Sequence, residues 1–387
     1  MRHEPGQGNN VVKNNISRLF IAALTLMGII NVADAQRFSS GNGQVNLAAL
    51  KLPPGFKISL YASNITNARS MALSPSGTLF VGTQLAGQVY ALLDTDQDGR
   101  ADKTHIVAKG LNTPNGVAFH DGDLYVAELN RILRFDDIEN HLEQPPQPVV
   151  IYDQLPSDTL HGWKYISFGP DGKLYVPVGA PCNTCEPSDR HALIARIDAD
   201  GSNYEVFARG IRNTVGFAWH PETGEMWFTD NGRDLWGDDR PPEELNRVPR
   251  AGLHFGFPYH YGKDLTDPDF STDKPDTAFT PPVLEFPAHT AGLGVQFYTG
   301  DKFPAEFKND IFIAYHGSWN RSKRAGYYLM RIDMENNQPV GTEVFASGWL
   351  QDEKYWGRPV DLEMMADGSL LLSDDFAGAI YRITYQN

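Results

Sequence analysis

One pattern of apolar and polar positions recurs along the chain. A short apolar run leads into a turn of Pro, Asp and Gly, and a second apolar run follows. It reads MALSPSGTLFVGT at 71–83, GVAFHDGDLYVAEL at 116–129 and YISFGPDGKLYVPVG at 165–179. It returns as GFAWHPETGEMWFTD at 216–230 and DLEMMADGSLLLSDD at 361–375, with a looser copy at 294–317 whose turn is expanded around FPAEFKND. Short apolar runs punctuated by turn residues predict β-hairpins rather than helices. A third apolar segment follows most hairpins (88–92, 131–135, 193–197, 327–332, 380–383), and a fourth follows some, at 105–108 and 204–208. Four strands in a unit of roughly 45–50 residues match a propeller blade. The fold expected is therefore all-β, a six-bladed β-propeller. A sandwich of two sheets would not account for six copies of one hairpin. The run at 56–61 has no hairpin partner, and the last copy lacks a fourth strand. Residues 56–62 are expected to supply it, closing the ring and removing an exposed edge. Residues 234–290, rich in Pro, Gly and aromatics, read as an insertion of long ordered loops on one face.

Composition agrees and narrows the classes. The 36 glycines and 26 prolines among 387 residues exclude a helical bundle. A formal charge of −15 argues against a nucleic-acid partner. The apolar run at 19–30 follows Lys13 and Arg18 and precedes Ala33, Asp34 and Ala35. That order is a secretory signal peptide over residues 1–35, cleaved near Ala35, which sends the protein to the periplasm or outside the cell. The run is short for a bilayer, so stable membrane insertion is not expected; an uncleaved anchor is the alternative. Residues 36–51 read as a flexible lead-in and 52–387 as the propeller. The two cysteines form one C-x-x-C, Cys182 and Cys185. Glu186 follows it, which does not support c-type haem attachment, and there is no second pair for a four-thiolate zinc site. In an oxidising compartment a local disulfide stiffening a loop is the reading, with a redox role as its alternative.

Candidate chemistry sits beside the hairpins. His161 precedes the third, Arg212 and Asn213 the fourth, and Arg358 the sixth. His316 and Arg321 follow the fifth, and the DNGRD run at 230–234 follows the fourth. In a propeller such positions gather at one end of the central channel. An imidazole with several guanidiniums suits a small anionic ligand and proton abstraction. Elsewhere, Asp94, Asp96, Asp98 and Asp102 form a DxDxDG loop. Alternating carboxylates around a turn glycine suit Ca²⁺. His105 stands where an EF-hand needs Glu and the flanks read as strands, which leaves a structural Ca²⁺ or a solvated acidic turn. No phosphate-binding or dinucleotide-binding glycine loop is present in the sequence.

Together these residues resemble the glucose/sorbosone dehydrogenase family, six-bladed propellers that use pyrroloquinoline quinone (PQQ) with Ca²⁺. The resemblance spans about 52–384. It rests on His161 ahead of FGPDGKLY, on GIRN at 210–213, on NGRDLWGDDRPPEELN from 231, on HGSWNR at 316–321 and on GRPVD at 357–361. PCNTC and GSWNR look more like the sorbosone-type branch. The resemblance implies that His161 is the catalytic base and that Arg212 polarises the quinone oxygen. It implies that Asn213, Arg321 and Arg358 contact PQQ, with Lys323 the candidate for a lysine that some members use. It further implies that the carbonyls of Gly232 and Arg233 hold Ca²⁺. Arg233 stands where some members have Pro, and Leu160 where glucose-specific members have Asp. The activity implied is oxidation of an aldose or aldehyde sugar, with electrons leaving to a soluble cytochrome or quinone. The rivals are a Ca²⁺-dependent lactonase, against which the channel arginines argue, and a non-catalytic binding module.

Overall fold

The computed structural model describes residue 1, residues 44–270 and residues 278–386. The expected leader, Met1 apart, lies outside the described residues. The fold is the expected six-bladed β-propeller. Its middle strands are buried on both faces, which is why they read as near-continuous apolar runs rather than as alternation. In Leu79–Val81, Leu79 and Val81 pack toward the blade behind, while Phe80 packs toward the blade ahead. Six apolar clusters of this kind fill the six gaps between neighbouring blades. Each fully buried Leu, Val or Phe contributes about 1.5–3 kcal/mol.

Blade 1 pairs Met71–Leu73, Leu79–Val81, Gln88–Leu93 and Lys103–Lys109 in sequence order. Blade 2 runs Gly116–His120, Asp123–Ala127, Ile132–Phe135 and Val149–Tyr152. Blade 3 runs Ser167–Phe168, Leu174–Val178, Leu193–Ile197 and Glu205–Arg209. Blade 5 runs Gly292–Phe297, Ile311–Tyr315, Tyr328–Glu335 and Gln338–Ala346. Blade 6 takes Pro359–Met364, Leu370–Asp374 and Ala379–Tyr385 from the C-terminus and Phe56–Ser63 from the N-terminus. That last pairing runs antiparallel from Phe56 opposite Tyr385 to Ser63 opposite Ala379. Phe56 adds edge contacts with Phe303, Phe307, Phe345 and Tyr385.

The repeated turns close alike. The amides of Gly77, Gly172 and Gly368 donate to the carbonyls of Ser74, Gly169 and Met365 at 2.9–3.0 Å. These three glycines have φ of 73–95°, the left-handed region where a side chain would be strained.

Two expectations need correction. Residues 234–290 are not purely an insertion. They include the outer half of blade 4, Glu243–Val248 and Leu284–Phe286, which completes Phe217–Trp219 and Met226–Asp230. The strand Glu243–Val248 begins with two buried carboxylates, so it lacks the apolar signature of the other third strands. The same segment also lends Leu253–His254 to blade 3 as a fifth, parallel strand and forms a small hairpin, His260–Tyr261 with Leu265–Thr266. The lead-in is packed from its C-terminal part: Leu47–Ala49 is a 3₁₀ turn, Lys51 bridges to Ser347, and Leu47 and Leu50 join the cluster between blades 5 and 6.

The first strands approach one another through glycine. A Cβ on Gly116 would lie 2.5 Å from the Lys164 carbonyl of the next blade, and one on Gly216 would lie 2.3 Å from that of Leu293. Gly116→Ala is therefore expected to destabilise the fold by about 1–3 kcal/mol. Gly341→Ala, on an outer strand where the nearest atom is 3.7 Å from the new Cβ, is the control and should leave the urea midpoint unchanged.

Candidate active site

Each blade offers two positions to the same end of the channel: the residue before its first strand and the residue at the end of its second. In blades 4 and 6 a buried carboxylate ends the second strand and holds the loop that enters the blade. Asp230 accepts from the amides of Arg212 and Asn213 at 2.8 and 2.6 Å. Asp374 accepts from the amides of Arg358, Phe376 and Ala377 at 2.8–3.0 Å. Arg212 and Arg358 are thus placed by one device used twice, and both are buried.

His161 is buried at the entry to blade 3 with φ 52°, a left-handed conformation uncommon outside glycine. Its Nδ1 pairs with the Ala180 carbonyl at 2.8 Å. A carbonyl only accepts, so Nδ1 carries the proton and Nε2 keeps its lone pair. Burial, then the Arg212 and Lys164 charges, push its pKa down to about 3. The imidazole is neutral at physiological pH. Lys164 is buried too, its Nζ donates to the Gly162 carbonyl, and burial lowers its pKa to about 8.

A second group faces in from blades 1, 2, 5 and 6. Arg69 donates through Nε to Asn115 Oδ1 and through Nη1 to Asp375, both at 2.9 Å. His316 Nε2 lies 3.0 Å from both Asp375 oxygens. Burial, then the Arg358 charge, lowers the His316 pKa to about 4. Burial alone would raise Asp375, but His316, Arg69 and Arg358 hold it well below the usual carboxylate range. Asn115 ties the two groups together, because its Nδ2 donates to the Lys164 carbonyl at 2.8 Å. Just along the chain from His161, Arg212 and Arg358, the side chains of Trp163, Val215 and Val360 meet Leu293 in an apolar cluster contributed by blades 3 to 6.

Sequence reasoning missed Arg69, Asn115, Lys164 and Asp375. The signal was available for Arg69, which stands before blade 1 as Arg358 stands before blade 6. Arg321 Nη1 donates to the carbonyls of Asp238 and Ala288, bracing residues 234–290, while its buried Nε has no partner among the described residues. Lys323 is exposed, and no contact through its side chain is seen among the described residues. Arg233 also turns to that segment, with Nη1 2.7–3.0 Å from Asp267 and Asp269 and its guanidinium over Trp236.

The 230–234 loop has an oxygen-rich donor set. Asn231 Oδ1 is buried without a partner among the described residues, and the buried Asp230, Glu243 and Glu244 adjoin its loop in the sheet or through the Gly232 amide. Carboxylate, amide and carbonyl oxygens are what Ca²⁺ selects. The DxDxDG loop lies elsewhere, in the turn between the third and fourth strands of blade 1, at the opposite end of the blade. Ligand oxygens of Asp94, Asp96 and Asp98 come within 4.8 Å of one another, while Asp102 turns to Thr95. Cys182 and Cys185 are joined as a disulfide. A groove of about 590 Å³ between Gln44–Asn46 and the 351–356 hairpin carries none of the candidate residues.

Fold and site together define a six-bladed propeller with an arginine-rich channel mouth around two buried histidines, His161 and His316. Residues 43–383 match the family described as "Domain of unknown function (DUF7133)", and the chain belongs to that family. It is 34% identical over 354 residues to an uncharacterized protein of Borreliella burgdorferi, covering 88% of this chain and 92% of that one. It is 23% identical over 339 residues to a pyrroloquinoline quinone-dependent sugar dehydrogenase of Hypocrea jecorina, covering 73% and 77%. Its fold matches a calcium structure of the Trichoderma reesei family AA12 enzyme, with TM-score 0.75, 20% identity and coverage of 90% and 100%. It also matches the holo PQQ domain of pyranose dehydrogenase from Coprinopsis cinerea, with TM-score 0.72, 19% identity and coverage of 87% and 97%.

The protonation of His161 is directly testable. In ¹⁵N spectra its ring is expected to stay neutral, with the proton on Nδ1, at pH 5, where a solvent-exposed histidine is charged. Lys164→Met removes a neighbouring cation and should move its titration upward. The linkage has a definite sign. Unfolded His161 takes a proton below about pH 6.5 and the folded one only near 3, so this residue costs stability as pH falls through that interval.

Proposed function

We propose that this protein is an exported quinoprotein dehydrogenase that oxidises an aldose or related aldehyde sugar with PQQ and Ca²⁺. The observation that carries the reading is the pairing of a neutral, Nδ1-anchored His161 with buried Arg212, Arg358 and Arg69 at one end of the channel. The DUF7133 relatives are silent on activity. The named sugar dehydrogenases among the relatives and structural neighbours support the class. PCNTC and GSWNR favour the sorbosone-type branch.

PQQ, when bound, supplies a two-electron acceptor that the side chains lack. Arg212 and Arg358 offer guanidiniums suited to its carboxylates and quinone oxygens, and Asn213 offers an amide beside them. Arg69 joins this set beside Arg321 and the candidate Lys323. The Gly232 and Arg233 carbonyls, with Asn231 Oδ1, would hold Ca²⁺. Asp94, Asp96 and Asp98 would hold a second, structural Ca²⁺ at the far end of blade 1. His161 Nε2 takes the substrate hydroxyl proton, and the Ala180 carbonyl stabilises the imidazolium by holding Nδ1–H. The apolar cluster of Trp163, Val215, Leu293 and Val360 limits water at that end of the channel. The N-terminal leader pattern and the disulfide support an oxidising, extracytoplasmic location, where a soluble cytochrome or quinone would remove the electrons.

The test is reconstitution of the mature protein with PQQ and Ca²⁺, followed by dye reduction on an aldose panel. Turnover is expected to require both additions. His161→Ala should still bind PQQ but lose about 10²–10⁴-fold in kcat. Near-normal turnover in that variant would remove His161 from the role, and a protein that binds no PQQ would remove the reading.

A further inference from the structure

The disulfide loop reaches into the candidate site through one residue. Asn183, between the two half-cystines, accepts from Arg212 Nε at its backbone carbonyl (2.9 Å) and from Arg212 Nη2 at Oδ1 (2.8 Å). The same Oδ1 accepts from the Asp234 amide at 2.7 Å, and Asn183 Nδ2 donates to the Asp234 carbonyl at 3.0 Å. The remaining guanidinium contacts are Asn231 O with Nη1 and Asp234 Oδ2 with Nη2, both at 3.0 Å. Asn183 therefore supplies two of the four acceptors of Arg212, and it also fixes the backbone of the residue that supplies a third.

What fixes Asn183 is the loop itself. Residues 182–185 carry no regular secondary structure and are all half-buried. The covalent link between Cys182 and Cys185 closes the loop, and Cys182 leans on a small cluster with Ala180, Ala192, Phe257 and Tyr261. We propose that Asn183 is the positioning residue of Arg212 and that the Cys182–Cys185 disulfide makes this positioning dependent on redox state. Oxidised, the loop presents carbonyl and Oδ1 together to the planar guanidinium. A dithiol reductant delivers two electrons and two protons, the S–S bond breaks, two thiols form, and the reductant closes its own disulfide. The loop then loses its closure, and Arg212 loses its paired acceptors. Both half-cystines are half-buried rather than fully enclosed.

The inference concerns the same arginine as the quinoprotein reading, but its geometry holds whatever ligand Arg212 meets. The test therefore starts without ligand. Hydrogen exchange of the Arg212 Nε–H is followed by NMR in the mature protein, with the Arg69 Nε–H, bonded to Asn115 Oδ1, as an internal reference. Reduction by dithiothreitol, confirmed by two titratable thiols, should accelerate Arg212 exchange by about tenfold or more and leave Arg69 unchanged. The Cys182→Ser/Cys185→Ser double variant should do the same. Asn183→Ala, with the disulfide intact, should accelerate Arg212 by a smaller factor, and Asn183→Asp, which keeps the Oδ1 acceptor, should restore protection. Unchanged Arg212 exchange in the reduced protein overturns the proposal. Equal acceleration of Arg212 and Arg69 also overturns it, because it marks general loosening. PQQ titration is the second readout: the oxidised protein should bind more tightly than the reduced one. An oxidised protein that binds no PQQ would defeat the quinoprotein reading while the exchange result still decides the role of Asn183.

Discussion

Closure of the ring is the constraint on which the channel mouth depends. Strand Phe56–Ser63 pairs with Ala379–Tyr385 and so joins the two ends of the described chain within one sheet. Without that pairing, blade 6 would expose an edge, and the apolar cluster between blades 6 and 1 would lose Tyr61 and Ile65. The consequence reaches the site, because Arg69 precedes blade 1 while its partner Asp375 follows the second strand of blade 6. Asp361 reinforces the same seam by accepting from the Met71 amide at 2.9 Å. An ion pair buried on both sides forms only when the last blade meets the first, so the electrostatics of the mouth and the topology of the ring are one problem.

The seam also explains how a strongly acidic chain assembles a cationic site. The charge of −15 belongs to the chain as a whole, while the mouth draws its charge from residues set by strand ends. Asp230 and Asp374 turn their carboxylates to backbone amides, and this orients Arg212 and Arg358 without fully cancelling their guanidiniums. The propeller repeats the geometry, so a carboxylate at the end of a second strand and an arginine before a first strand recur as a pair.

Much of this was legible in the sequence, for a physical reason. Middle strands packed on both faces must be apolar throughout, and their turns need a glycine with positive φ, so hairpins such as 165–179 and 361–375 announce themselves. The unpaired run at 56–61 announces the closure by the same logic. Glu243–Val248 escaped because its first two positions are carboxylates buried for the sake of the 230–234 loop. Asn115 and Lys164 escaped because no local pattern marks them, and their importance comes from contacts across blades; Arg69 was marked only by its place before blade 1. Arg321 was legible as a motif residue, but its Nη1 contacts with the carbonyls of Asp238 and Ala288 arise only once segment 234–290 has folded.

The field around His161 carries a consequence for any chemistry there. Burial first, and then the charges of Arg212 and Lys164, disfavour its protonation and make the imidazole a weak base. The same two cations favour an anion in the mouth, and the couplings are reciprocal. An anion placed beside Arg212 would offset part of the charge that opposes protonation of His161 and so raise the basicity of Nε2. A proton taken by His161 in turn tightens the hold on that anion. The weak base and the cations beside it are therefore electrostatically coupled: an anion that reached Arg212 would raise the basicity of Nε2 in part, while the larger effect of burial would remain.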